Sequence, residues 1–455
     1  AYLISRPLAT DPAAYFPFPT PGTTRVYAKV GETIYAGFSQ QGKSYNGMVA
    51  VANITMRAPN GNTYSSPTNS GNTTGLIANR TEELNGPDRG SITAGYTPFY
   101  RTVLSGEEGI WEVDFNAMGT GTNFTKGPNY SNDGKWVGEY NPDEAWFQPT
   151  SGGDPSTANN HSSALIAAWD VSVGSVSDRA ILIPGRVFTT VLALCLPNNF
   201  PGAGSAMGGT NGSGTTIISG SGGFYSTFYV LTNDGYAYKV NNHGINGASW
   251  SFFANNKGIV SGGTQLPGTN GFTGGEPTYQ SQNSIGSTTQ NTHDPRFLDA
   301  TNDFTHKVFY SKPASDLPAS ATAIYRRKDG SNTITTTWLK TSALNPEVSD
   351  VSIKGVEANT DWVVGPDGAY ISFTSNVYGS YVIDIDLNGN GQFDDPADRR
   401  WTGSAVIGTN TVTWDGKDGL GNLITIGTTE VTVRAQVNLG EVHFPFVDGE
   451  INPNG

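Results

Sequence analysis

The chain has a single cysteine in 455 residues, few charged side chains and no long apolar run. With Cys195 alone, no disulfide can form within it. That residue sits in the apolar run VLALCL and reads as a small buried hydrophobe. The five histidines, His161, His243, His293, His306 and His443, never fall at H-x-x-x-H spacing, so local sequence offers no zinc site. Charged residues make up 14% and the net charge is −13. The basic patch that nucleic acid or an anionic membrane requires is therefore missing. No stretch approaches the ~18 apolar residues of a membrane-spanning helix. There is no signal peptide, and a start at Ala1 is what a mature chain shows after signal removal.

What is abundant points to β-structure. Gly 58 and Pro 26 argue against long helices, while 11% aromatic residues supply material for real cores. The length suits about three domains. The expected class is all-β: tandem β-sandwiches, jelly-roll-like and Ig-like, with long Gly/Asn/Thr-rich loops. The expected divisions are an extended proline-punctuated arm at 1–24, a jelly-roll-like sandwich at 25–177, a second β-domain at 178–321 and an Ig-like sandwich at 322–455. Period-two alternation supports the strands: Trp111, Val113 and Phe115 alternate with Glu112 and Asp114, and Trp169, Val171 and Val173 with Asp170 and Ser172. Asn60-Gly61 and Asp234-Gly235 are hairpin signals.

The most informative stretch is residues 384–422. Ile383, Ile385 and Leu387 alternate with Asp384, Asp386 and Asn388, a strand with apolar residues on one face and oxygen donors on the other. As a calcium loop, Asp386, Asn388 and Asn390 take positions one, three and five, and Gly391 makes the sixth-position turn. Gln392 offers its carbonyl, Asp394 sits at position nine, and Asp398 comes one residue after the twelfth position, which is Ala397. No helical pattern flanks the loop, so this is no EF-hand. A calcium-bound β-loop and a solvated acidic turn are the two readings.

Other motifs resolve more plainly. GFSQQGKS matches the P-loop letters at Gly37, Gly42, Lys43 and Ser44, but YNGMVAVANITM follows it and is strand-like. A phosphate cradle needs a helix there. His293-Asp294, and His306 near Asp303, are candidate fragments of an acid–base site, but lone loop histidines are far more often surface or core residues. The pairs Glu107-Glu108 and Asp143-Glu144 are sequence neighbours, whereas glycosidase carboxylates face each other across a cleft. Trp136, Tyr140 and Trp146 lie in a polar stretch. They are candidates for stacking on sugar rings, against the plainer reading that they cap a sandwich core.

TVTWDGKDGLGNLITIGTTEVTVRA resembles the Ig-like module of the flagellar-hook-cap type through Trp414, Asp415, Gly416, Gly421 and Asn422. The module's usual Pro-x-Gly-x-Tyr is replaced here by ITIGTT. More broadly, FYVLTNDGYAYKVNNHG, THKVFYSKPASDLPA, DIDLNGNGQFDDPADR and GEVHFPFVDGEINPNG resemble the amino-terminal region of giant Bacteroidetes surface adhesins of the gliding type, exported by type IX secretion. The resemblance implies a non-enzymatic, extracellular cell-surface adhesin, the front part of a longer polypeptide. Calcium would be a structural cofactor and a cell-surface or substratum glycan or protein the ligand. Secretion-system or outer-membrane anchoring proteins would be further partners. A structural filament subunit that self-assembles through the 1–24 arm, and a secreted carbohydrate-binding or polysaccharide-active protein, are the alternatives.

Overall fold

The computed structural model describes residues 2–4, 23–38, 51–67, 73–77, 80–118, 165–166, 169–195, 224–245, 249–262, 264–265, 272–273, 275–279, 290–293, 295, 298–299, 303–326, 332–356, 364–425 and 431–447. The all-β expectation holds: among the described residues 52% are in strands and 2% in helix, the short Arg80–Asn85. The chain divides into two compact units. One comprises Ala1–Ser342 with His443–Gly455, and the other, Ala343–Val442, is inserted between those two segments in sequence.

In the first unit the main sheet runs Ala237–Ile245, Phe224–Leu231, Lys307–Phe309, Val187–Thr189, Thr24–Ala28, Gly109–Met118, Ser320–Arg326 and Asn332–Trp338. This order crosses both expected internal seams. Val187 pairs with Val26 across the 177/178 division, and the 321/322 division falls inside the strand Ser320–Arg326, which meets Gly109–Met118 in parallel at Ala323 and Ile110. Both hairpin signals hold. Val51–Arg57 pairs with Thr63–Ser65 around Asn60-Gly61, and Phe224–Leu231 pairs with Ala237–Ile245 around Asp234-Gly235.

A three-stranded sheet of Trp169–Gly174, Thr33–Phe38 and Phe99–Thr102 accompanies the main one. The core joins Val26, Ile34, Ile54, Trp111, Val113 and Val173. In a five-stranded sheet, Tyr2–Ile4 lies between Val191–Cys195 and Leu165–Ile166, so the start of the expected arm is paired within the chain.

Alternation in Gly109–Met118 is as expected, but its polar face is not solvated. Glu112 and Asp114 are 2% and 3% exposed. Arg25 pairs with Glu112 at 3.0 Å, and Arg57 pairs with both acids. Arg25 also donates to the Ile324 carbonyl at 3.1 Å and lies over the Tyr325 ring at 4.3 Å. The hairpin from Ser320 to Trp338 thus contributes to a second core with Ile110, Phe188, Phe309 and Leu339. Buried charge survives here because each ion is paired and hydrogen-bonded.

The second unit is a compact sandwich. One sheet is Val348–Gly355, Ala369–Ser375 and Gly408–Trp414; the other is Arg399–Ala405, Gly379–Asp386 and Thr432–Leu439. Ile353, Ile371, Phe373, Ile383, Ile385, Val412 and Trp414 fill the space between the sheets.

Candidate functional site

The acidic loop grows out of the central strand Gly379–Asp386. Ile383 and Ile385 point into the core, so the two-residue repeat sends Asp384 and Asp386 to the opposite face. Both aspartates are nevertheless enclosed, at 0% and 1% exposure.

Asp384 is a structural acid. Its cross-strand neighbours are Arg400 and Arg434. Arg400 Nε donates to Oδ1 at 2.6 Å and Arg434 Nη2 to Oδ2 at 2.7 Å. Burial alone would raise this carboxyl; the bonds and charge of the two guanidiniums more than reverse that and hold it below the usual range. Arg434 also lies 4.1 Å from the Phe393 ring, which anchors the loop to the sheet.

Asp386 organises the turn itself. Its Oδ1 accepts the N–H groups of Asn388 at 3.2 Å and Gly389 at 2.7 Å, and its Oδ2 accepts that of Gly391 at 2.8 Å. Burial would raise the Asp386 carboxyl, but the surrounding backbone N–H groups lower it on balance. Gly391 has φ of 80°, which a residue with a Cβ adopts only with strain. The side-chain amide oxygens (Oδ1) of Asn388 and Asn390 accept the N–H groups of Asn390 and Gln392 at 3.1 and 2.7 Å. Their amide nitrogens both donate to Oδ2 of Asp395, at 2.8 and 2.6 Å. Asp398 accepts the N–H of Leu387 at 3.0 Å and that of Asp395 at 3.0 Å, closing the loop at its base.

Of the six expected ligands, Asp386, Asn388, Asn390 and Asp398 are therefore gathered in one hydrogen-bonded turn. Gln392 enters it through its N–H, and Asp394 is exposed beside it. The residue the sequence pattern passed over is Asp395, which takes both amides; its place opposite Asn388 and Asn390 follows from the chain reversal at Gly391. Among the described residues no three Asp, Glu, His or Cys side chains converge at metal-binding distances. The donors are all hard oxygens, the set calcium takes, and rotation of the two amides would turn their oxygens toward Asp395.

The W-D-G turn belongs to the same end of the sandwich. Trp414 Nε1 donates to the Lys417 carbonyl at 2.8 Å, and Asp418 accepts the N–H groups of Leu420 and Asn422 at 3.0 and 2.7 Å. Arg399 reaches the Asp418 carbonyl at 3.2 Å and Asp415 at 3.4 Å.

In the first unit a cavity of about 600 Å³ is lined by Trp169, Val171, Ile183, Val187, Tyr310 and Thr24, among others. Trp169–Gly174 pairs along one side with Thr33–Phe38, while on the other Val173 accepts the Ile183 N–H at 2.8 Å. Burial pushes the Tyr310 phenol up to about 12, against hydrogen bonds to Thr24 and Trp169.

Trp136, Tyr140 and Trp146 lie outside the described residues, as does His161. His293 and His306 are 5% and 1% exposed. No protein-family model, curated protein or solved structure matches this chain.

Proposed function

We propose that the chain is a non-enzymatic segment of an extracellular bacterial surface adhesin, stiffened by calcium in its second unit. The observation that carries this reading is the closed acidic turn, in which a buried Asp386 gathers three backbone N–H groups and Asn388, Asn390, Asp395 and Asp398 supply oxygens around it. Such a turn clamps a sandwich end; it presents no nucleophile paired to a base. When bound, calcium would neutralise neighbouring carboxylates that otherwise repel. Asp386, Asn388, Asn390 and Asp398 would hold it, with Asp394 and the Gln392 carbonyl beside them.

Attachment is assigned to the first unit, whose cavity has the size and mostly apolar lining of a ligand site. A glycan or an exposed protein segment is the ligand class. Probing glycan and protein arrays with the whole chain and with Trp169→Ala tests this. Retained ligand without turnover, lost in the variant, supports the adhesin. Conversion of a bound glycan would instead favour the polysaccharide-active alternative.

The filament alternative keeps one specific support, the strand Tyr2–Ile4 held between two other strands of the same sheet. Supplied by a neighbouring copy, that strand would join subunits by β-augmentation. A chain lacking residues 1–24 that still assembles would remove this reading.

A further inference from the structure

The chain returns from the second unit into the first through residues 443–447, and two histidines flank the strand it joins. Asn255 donates its N–H to the His443 carbonyl at 3.1 Å and accepts the His443 N–H at 2.9 Å. On the other side of the same strand, the His306 N–H donates to the Ala254 carbonyl at 2.8 Å, and Asn255 bridges to Thr305. Further along, Phe252 and Ser251 pair with Phe446 and Val447. Among the described residues this returning strand is one of the two outer strands of its sheet.

The surroundings leave little room for positive charge. His306 is 1% exposed, and among the described residues neither of its ring nitrogens has a hydrogen-bond partner; the same holds for His293, 5% exposed. The charged and titratable groups about them are Lys307 next in sequence, His443 across the strand, the Lys257–Asp303 ion pair at 2.7 Å, and Asp299. Asp299 is already bonded to the Thr305 N–H and to Trp338 Nε1. The His443 ring lies so close to the backbone that a Cβ at Gly258 would be 2.4 Å from its Nδ1, and Tyr279, at φ of 50°, covers it with ring centroids 5.9 Å apart. Burial first, then Lys307 and His443, push His306 down to about 3.

We propose that His306 forms an acid-sensitive latch: charging it frees residues 443–447 from the strand Ser249–Phe253 while the main sheet of the first unit stays folded. A buried imidazolium without an acceptor is far costlier than a solvated one. Protonation therefore has to accompany opening, and a short outer strand opens at lower free energy than the central sheet. An unperturbed histidine charges below about pH 6.5, so acidification drives the opened form.

The test is pulse-labelled hydrogen exchange on the whole chain. Samples are equilibrated at a series of pH values from neutral to acid and then labelled in a brief pulse at one fixed pH. The expected result is at least tenfold loss of protection at Asn255 and residues 443–447 at a higher pH than any loss at Val26 or Trp111, with His306→Asn moving that step to lower pH. His306→Gln, which likewise cannot take up the charge, is the second variant and moves it the same way. Simultaneous loss at all these amides, or a step unmoved by both substitutions, overturns the latch.

Discussion

The N–H of Gly419 donates to the carbonyl of Ala397 at 2.8 Å, and this bond ties the W-D-G turn to the base of the acidic loop. The two motifs, separate in the sequence, form one cap on the second unit. Approach is so close that a Cβ at position 419 would lie 2.3 Å from the Pro396 carbonyl oxygen and 2.4 Å from that of Asp398. Gly419→Val should therefore destabilise the second unit by about 1–3 kcal/mol, the usual range for overpacking. Denaturant unfolding of the variant reads this directly, and an unchanged midpoint would show that the two loops are not coupled.

Asp384 holds two arginines that come from strands on either side of it. Its folded pKa lies below the unfolded value, so the unfolded state binds the proton more readily in acid. The stabilisation is present above about pH 4 and is lost as pH falls through the folded value. Asp384→Asn should cost about 1.5–3 kcal/mol at neutral pH, the range for hydrogen bonds to charged groups. It should also flatten the acid limb of the second unit's stability curve.

Lys307 gives a dependence of the same sign in the first unit, at higher pH. It is 2% exposed, its Nζ sits 3.2 Å from the centroid of the Trp338 ring, and burial lowers its pKa to about 7. Between that value and the unfolded one near 10.4 the unfolded state carries the extra proton, so stability rises with pH by at most about 1.4 kcal/mol per unit. Lys307→Met should abolish that slope and be the more stable form at and below neutral pH. Midpoints of chemical unfolding across pH 6 to about 10 decide the matter.

Much of the architecture was legible because alternation reports burial. The strands around Trp111, Val171 and Ile383 and both hairpins follow from residues a few positions apart. Pairings such as Val187 with Val26, or Asp384 with Arg434, were not legible, since nothing local sets a register between distant strands. For the same reason the polar face of Glu112 and Asp114 gave no sign of the hairpin that covers it, and the second unit gave no sign of being an insertion. In the acidic loop, Asp386, Asn388 and Asn390 followed from the D-x-N-x-N-G spacing. Asp395 did not, because its role depends on the turn folding back.

Thermal unfolding of the whole chain, in calcium and then in excess chelator, tests the clamp most directly. Calcium at a thousandfold excess over its Kd should stabilise the second unit by about 4 kcal/mol, and Asp386→Ala should erase the difference. Identical transitions in calcium and chelator would contradict the account and leave the loop a turn closed by its own hydrogen bonds.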